Sequence, residues 1–367
     1  MERLIRKMSL EELVGQLFMV GFEGTRYNSD LEFFLKRLHI GGLILFRRNI
    51  EDPGQVAALC RKVQETAVET VSVPLFISID QEGGTVARLI PPFSQFPSAA
   101  SMASSPDPEG AIKRFAGRQA YELKLVGINM DLAPVLDVNL RGPEGLMASR
   151  SYGSDPNEVA RLGALCIREL QQAGIIACAK HFPGIGDTEL DTHQDLPFLD
   201  KTLSELEKTE LPPFREAVKI PVGAVMTAHV RYSALDPAFP ASLSSAVVKG
   251  LLRREWGYNG LVLTDDLEMG AIGHHFAIED AVSLAVKAGS DVLLVCHSPE
   301  KIEKGYRTIL RRIKDGGLSE EAFKETLLRI FHLKLRYLTS YGPASEKEIA
   351  AYFSSPETIC SSSPYGP

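Results

Sequence analysis

Two histidines, two aspartates and a lysine fall within one short stretch, Lys180-His181-Phe182-Pro183-Gly184-Ile185-Gly186-Asp187-Thr188-Glu189-Leu190-Asp191-Thr192-His193. A free histidine titrates near pH ~6.5, so it can donate and accept protons at neutral pH. Beside carboxylates it could serve proton transfer, or His181, Asp187, Asp191 and His193 could gather a metal ion. Packing gains nothing from so many titratable groups. Loops of this kind, held by a rigid scaffold, are where chemistry tends to sit.

The stretch begins where an apolar run, Gly174-Ile175-Ile176-Ala177-Cys178-Ala179, ends. Similar runs recur, and they predict strands over Gln16–Phe22, Gly42–Phe46, Leu75–Asp80, Met130–Val138, Ile175–His181, Ala224–His229, Leu261–Asp266 and Val292–His297. Amphipathic segments lie between them, at Asp52–Val71, Pro108–Val126, Pro156–Ala173, Leu203–Lys219, Ser244–Trp256 and Ile278–Ala288. Strand and helix in alternation imply βαβ units and a parallel sheet. Eight such units in a chain of this length predict a single α/β domain, a (β/α)8 TIM-type barrel. An open doubly wound sheet would want a glycine-rich phosphate turn after its first strand, and Gly21-Phe22-Glu23-Gly24 is not one. The predicted strand ends carry Asp80, Asp137, Lys180 with His181, His229, Asp265 with Asp266, and His297. Ionisable residues at the C-terminal tips of many strands mark a barrel active site, although any single one, Asp137 for instance, could cap the following helix.

Composition narrows the classes. The 367 residues are 44% hydrophobic and 24% charged, which permits a sizeable core and argues against disorder. A net charge of −7 and the lack of a basic, aromatic-laced stripe argue against nucleic acid. The five cysteines are widely spaced with no CxxC pair, which fits a reducing compartment and neither a disulfide framework nor a zinc knuckle. The apolar run Leu17-Phe18-Met19-Val20 is too short for a membrane span or a signal core. A soluble cytoplasmic protein without a membrane partner, metal or cofactor is expected. Residues 1–340 are read as the catalytic barrel, ending in two helices over Pro299–Asp315 and Ser319–Thr339. Residues 341–367 are read as a C-terminal tail, too short for a domain, lying along the barrel or partly disordered.

From about Leu13 to Leu338 the chain resembles glycoside hydrolase family 3, in its single-domain β-N-acetylglucosaminidase branch. The blocks that carry the resemblance are Gly41–Asn49, Asp80-Gln81-Glu82-Gly83-Gly84-Thr85-Val86-Ala87-Arg88, Ala133–Val138 and Ser149–Gly153. Lys180–His193, Met226–Val230 and Leu263-Thr264-Asp265-Asp266-Leu267-Glu268-Met269 complete them. Each alone is a weak signal; together, in order, they are a strong one. Glycoside hydrolysis needs one group at the anomeric carbon and another to move a proton. The resemblance implies Asp265 as nucleophile, with Asp266 in a supporting or capping role. It implies His193 as acid/base, with Asp191 two residues before it. A carboxylate on one ring nitrogen fixes the tautomer and favours the imidazolium needed for the acid step, and at this spacing the pair works only in a turn. Asp80, Arg88, Arg150, Lys180 and His181 match positions that hold sugar hydroxyls, although either arginine could instead serve as an ion-pair partner. His229 matches a histidine at the site floor, or is a satisfied core residue. Ile185 stands where the family commonly has a histidine, and Met147-Ala148 departs from the usual pattern ahead of Ser149-Arg150.

The resemblance implies a retaining exo-β-N-acetylglucosaminidase acting on glycans such as muropeptide sugars. A phosphorylase on the same scaffold is an alternative, since a neutral histidine would not repel phosphate. So is a β-glucosidase, although that branch typically takes its acid/base from a second domain. A metal-dependent amidohydrolase would want an HxH pair on the first strand, and Gln16–Phe22 holds no histidine. A non-catalytic binding protein would not need Asp265 or the Asp191–His193 pair.

Overall fold

A computed structural model describes residues 5–339 and 342–355. All eight predicted strands form. They are β1 (Phe18–Val20), β2 (Gly42–Leu45), β3 (Phe76–Ile79), β4 (Met130–Asp131), β5 (Ile176–Phe182), β6 (Ala224–Thr227), β7 (Leu261–Thr264) and β8 (Leu293–Val295). Strands β1 to β7 pair in parallel in sequence order, and β8 pairs with β1. The seam between β7 and β8 closes through the Leu263–Val292 bridge and through Leu294 N–H, which donates to Thr264 Oγ1 at 3.0 Å. The sheet is therefore a barrel, and the doubly wound alternative is excluded. Every residue of these strands is buried, which is why they read as continuous apolar runs.

Several helices start on one local signal. Asp52, Asp107, Asp155 and Ser298 each accept a backbone N–H from the first turn, and each is followed by proline. The side chain satisfies a donor the helix leaves open, and proline at the first position has no donor to lose. Three predicted elements differ, one being Ser244–Trp256, where Ala246–Glu255 winds as a π-helix. The fourth strand stops at Asp131 rather than Val138, because Pro134 has no N–H for the ladder; pairing resumes only at the isolated Val135–Lys180 bridge. The single helix expected over Leu203–Lys219 is two, Leu203–Lys208 and Leu211–Lys219, because Pro212 and Pro213 fit only a new first turn. The last long helix, Glu320–Tyr337, plugs the N-terminal mouth of the barrel. Its buried Lys334 donates to Gln16 Oε1 at 2.8 Å and to Gly41 O at 2.9 Å, and burial holds its ammonium well below the ordinary lysine range.

Part of the tail is ordered. Glu346–Phe353 is a helix whose Phe353 ring meets Phe93 edge-on and whose Tyr352 hydroxyl donates to Glu122 at 3.0 Å. The remainder of the expected tail, residues 341 and 356–367, lies outside the described residues. Among the described residues no helix is long and apolar enough to cross a membrane. Cys60, Cys166, Cys178 and Cys296 are buried free thiols.

Candidate active site

The C-terminal strand tips surround a cavity of about 220 Å³, and Asp80, Arg88, Arg150, Lys180, His181, Asp191, His193 and Asp265 all border it. They come from four places in the chain, and each arrives by a different local device.

Asp80 follows β3 directly. Beyond it the chain folds back as a short hairpin, Gln81–Gly83 against Val86–Ala87, turned by Gly83 and Gly84 at φ +88° and +60°. Glycine adopts that left-handed conformation without a steric cost. The reversal returns Arg88 beside Asp80, and Gln81 Oε1 holds the Arg88 N–H at 2.7 Å. Lys180, near the end of β5, reaches Asp80 Oδ1 and Glu82 Oε1, each at 2.7 Å. Arg150 grips Glu82 with two parallel bonds, Nε to Oε2 at 2.8 Å and Nη2 to Oε1 at 2.7 Å. The result is a row of alternating charge: Arg88, Asp80, Lys180, Glu82, Arg150.

Electrostatics follow from that row. Burial alone would raise the Glu82 carboxyl, but Lys180 and Arg150 outweigh it and hold it down at about 2. Asp80 is likewise pushed up by burial and brought below the usual carboxylate range by Lys180 and Arg88. Burial disfavours the Lys180 ammonium, and its two carboxylates more than reverse this. Below the row, Asp131 accepts from Gln81 N–H and from Gln119, and burial pushes its carboxyl up to about 8. Arg88 and Arg150 are thus ion-pair partners and cavity wall at once.

His181 lies next to Lys180, and its Nδ1 is 2.7 Å from Asp137 Oδ2. Asp137 also accepts from the backbone of His181 and from Ile185 N–H at 2.8 Å. The capping reading of Asp137 is therefore corrected: the next long helix is capped by Asp155, and Asp137 instead orients a cavity histidine and pins the start of the following loop. Glu82 was visible inside a motif but carried no assigned role, since local pattern does not say which carboxylate a distant lysine will meet. Ile185 is buried and lines the cavity.

The loop returns to the cavity at Asp191-Thr192-His193, in a turn as the spacing required. Asp191 Oδ1 accepts from His193 N–H at 2.9 Å and faces His193 Nδ1 at 2.8 Å. Partial burial would raise the Asp191 carboxyl, and the bonds from His193 bring it below its ordinary value. Asp265 follows β7, and its Oδ1 accepts from Asp266 N–H at 2.9 Å. Asp266 turns away from the cavity and accepts from the Glu268 and Cys296 amides, a supporting role. His229 is a satisfied core histidine: it is buried, with Nδ1 on Ser242 Oγ at 2.7 Å and Nε2 on Asp266 O at 2.9 Å. His297 pairs with Asp266 at 3.1 Å.

The metal alternative does not match this arrangement. Among the described residues no three His, Cys, Asp or Glu side chains are disposed to hold a metal ion. His181 and His193 are paired with separate aspartates, and Asp187 is held by Lys201 at 2.7 Å.

Comparison with known proteins adds a family. Residues 9–333 match the model for the glycosyl hydrolase family 3 N terminal domain. A beta-hexosaminidase of Alkalilimnicola ehrlichii is 35% identical over 308 residues, covering 83% of this chain and 85% of that protein. Beta-hexosaminidase A of Pseudoalteromonas piscicida is 32% identical over 334 residues, covering 85% of this chain, which spans only 56% of that relative. Among solved structures, a family 3 beta-N-acetylglucosaminidase from Paenibacillus sp. superposes with a TM-score of 0.86 at 40% identity, covering 94% of this chain and 68% of that one. With a family model over most of its length, relatives above 30% identity and the barrel to match, this chain belongs to glycoside hydrolase family 3.

Proposed function

We propose that this glycoside hydrolase is a retaining exo-β-N-acetylglucosaminidase that releases terminal N-acetylglucosamine from β-linked glycans such as muropeptide sugars. The relatives named beta-hexosaminidase and beta-N-acetylglucosaminidase support the substrate class. The observation that carries the mechanism is one cavity bordered by both Asp265 and the Asp191–His193 pair.

Asp265 attacks the anomeric carbon as the glycosidic bond breaks. His193, protonated, gives its Nε2 proton to the departing oxygen, and Asp191 stabilises the imidazolium and holds the ring. Neutral His193 then takes a proton from water as that water attacks the anomeric carbon and frees Asp265. Asp80, Arg88, Arg150, Lys180 and His181 hold the sugar hydroxyls, carboxylates accepting and cations donating. An enzyme nucleophile makes attack by the N-acetyl oxygen unnecessary, so the acetamido group serves recognition.

The test is turnover of a chromogenic N-acetyl-β-glucosaminide against the matching β-glucoside, with and without inorganic phosphate. The proposal expects preference for the N-acetylated sugar and release of free sugar with the β configuration whether or not phosphate is present. A sugar 1-phosphate product, or preference for the glucoside, would contradict it.

A further inference from the structure

The loop that brings His193 to the cavity is hydrogen-bonded within itself. Gln194 N–H and Asp195 N–H both donate to Asp191 O, at 2.9 and 3.2 Å, and Asp191 Oδ1 takes two bonds from His193. Residues 191–195 therefore move as one turn. The turn is seated on the segment that follows Asp265. Ala271 N–H donates to Thr192 O at 3.0 Å, and His275 Nε2 meets Asp195 Oδ1 at 2.5 Å. Between these contacts the backbone of the turn lies directly on Gly270: a Cβ there would come within 2.5 Å of His193 O and 2.7 Å of Gln194 O. Both are main-chain atoms, so no side-chain rotation can relieve the contact.

We propose that Gly270 is a positioning residue for the acid/base, its missing side chain being the seat that lets the 191–195 turn rest at the height which brings His193 to Asp265. The inference rests on the reading of His193 as acid/base. It concerns a residue that touches neither substrate nor reacting atoms. Ala271 and Ile272 behind the seat are fully buried, whereas His193 stands largely in solvent, so an added methyl group displaces the turn and not the barrel. Gly270 opens a short helix without a positive φ, so alanine suits its backbone. A displacement of about 1 Å in a positioned catalytic group can cost roughly 10²-fold in rate.

The test compares Gly270→Ala, His275→Ala and His193→Ala on two aryl N-acetylglucosaminides, one with an activated leaving group and one with a poor one, with thermal unfolding of each variant. Gly270→Ala should lower kcat/KM for the poor leaving group by roughly 10²-fold, with kcat/KM for the activated substrate within a few-fold of the parent and Tm unchanged. His275→Ala should show the same split, smaller. If His193→Ala shows the split and Gly270→Ala keeps the parental kcat/KM on both substrates, or loses it equally on both, the seat is overturned and the acid/base reading stands. If His193→Ala itself shows no split, the acid/base reading falls and the seat with it. Should Gly270→Ala fail to fold, His275→Ala carries the test, and no split in it overturns the proposal.

Discussion

Two histidines border the cavity, each with an aspartate on Nδ1 at nearly the same distance, 2.7 and 2.8 Å, in opposite surroundings. The side chains of His181 and Asp137 are 7% and 0% exposed; those of His193 and Asp191 are 73% and 40% exposed. The first pair belongs to the strand tips, where Asp137 is also tied to backbone amides and the neighbouring charges form the Arg88–Arg150 row. The second belongs to an exposed loop turn that rests on the segment after Asp265 through Ala271 and His275. One hydrogen bond therefore serves two ends. Buried, it fixes a group that the proposed mechanism uses to recognise the sugar. Exposed, it orients a group that the same mechanism has exchange a proton with water in each turnover. On the proposed mechanism, the difference divides binding and proton transfer between frame and loop, so each can be damaged without the other.

The largest expected effect is on chemistry alone. Asp265→Ala should lose orders of magnitude in kcat while the fold survives, because the Asp265 side chain accepts only from the neighbouring Asp266 amide; full activity in a folded Asp265→Ala would end its assignment. Next comes the loop histidine. His193→Ala should lower kcat/KM for poor leaving groups by ~10²–10⁴-fold more than for activated aryl glycosides, since only the former need protonation at departure. Asp191→Asn should do the same more mildly, and an equal loss of kcat/KM for both substrate classes would make the pair a binding or structural element.

The frame should respond in the opposite sense, in stability. Lys180→Met leaves Asp80 and Glu82 facing each other without their cation, and breaking a buried pair in this way costs about 3–5 kcal/mol. The exposed His193→Ala should stay within about 0.5 kcal/mol of the parent. Denaturant unfolding measures both, and similar values for the two would dissolve the distinction.

The smallest effect is a pH dependence. The Glu82 carboxyl lies near 2 when folded against an ordinary value of 4.5. A lowered folded pKa contributes stability that is present above the unfolded value and lost as pH falls through the folded one. Unfolding free energy should therefore drop between about pH 4.5 and 2, and Glu82→Gln should flatten that limb; an unchanged acid limb would remove Glu82 from the account.

The barrel was readable in the chain because buried parallel strands are apolar along their whole length and their helices begin with Asp-Pro or Ser-Pro. Its breaks were less so. Pro134 shortening a strand is local and could have been weighed, whereas the docking of Glu346–Phe353 depends on Phe93 and Glu122, far away in sequence. In the site, the residues that face the cavity were visible as motifs. The residues that hold them were not, because Asp137 at a strand tip looks like any helix cap until His181 is seen folded onto it, and Glu82 gains its meaning only from Lys180 and Arg150.

The central claim is that Asp265 and His193 act on the same glycosyl group in succession, and one variant exposes both. In His193→Ala an activated aryl N-acetylglucosaminide needs no acid to react, but the resulting intermediate has lost the base that hydrolyses it. Intact-protein mass spectrometry of that mixture, followed by peptide mapping, should find the sugar accumulated on Asp265 within Thr264-Asp265-Asp266. A burst without any covalent sugar, or an adduct on Asp266, would contradict the account.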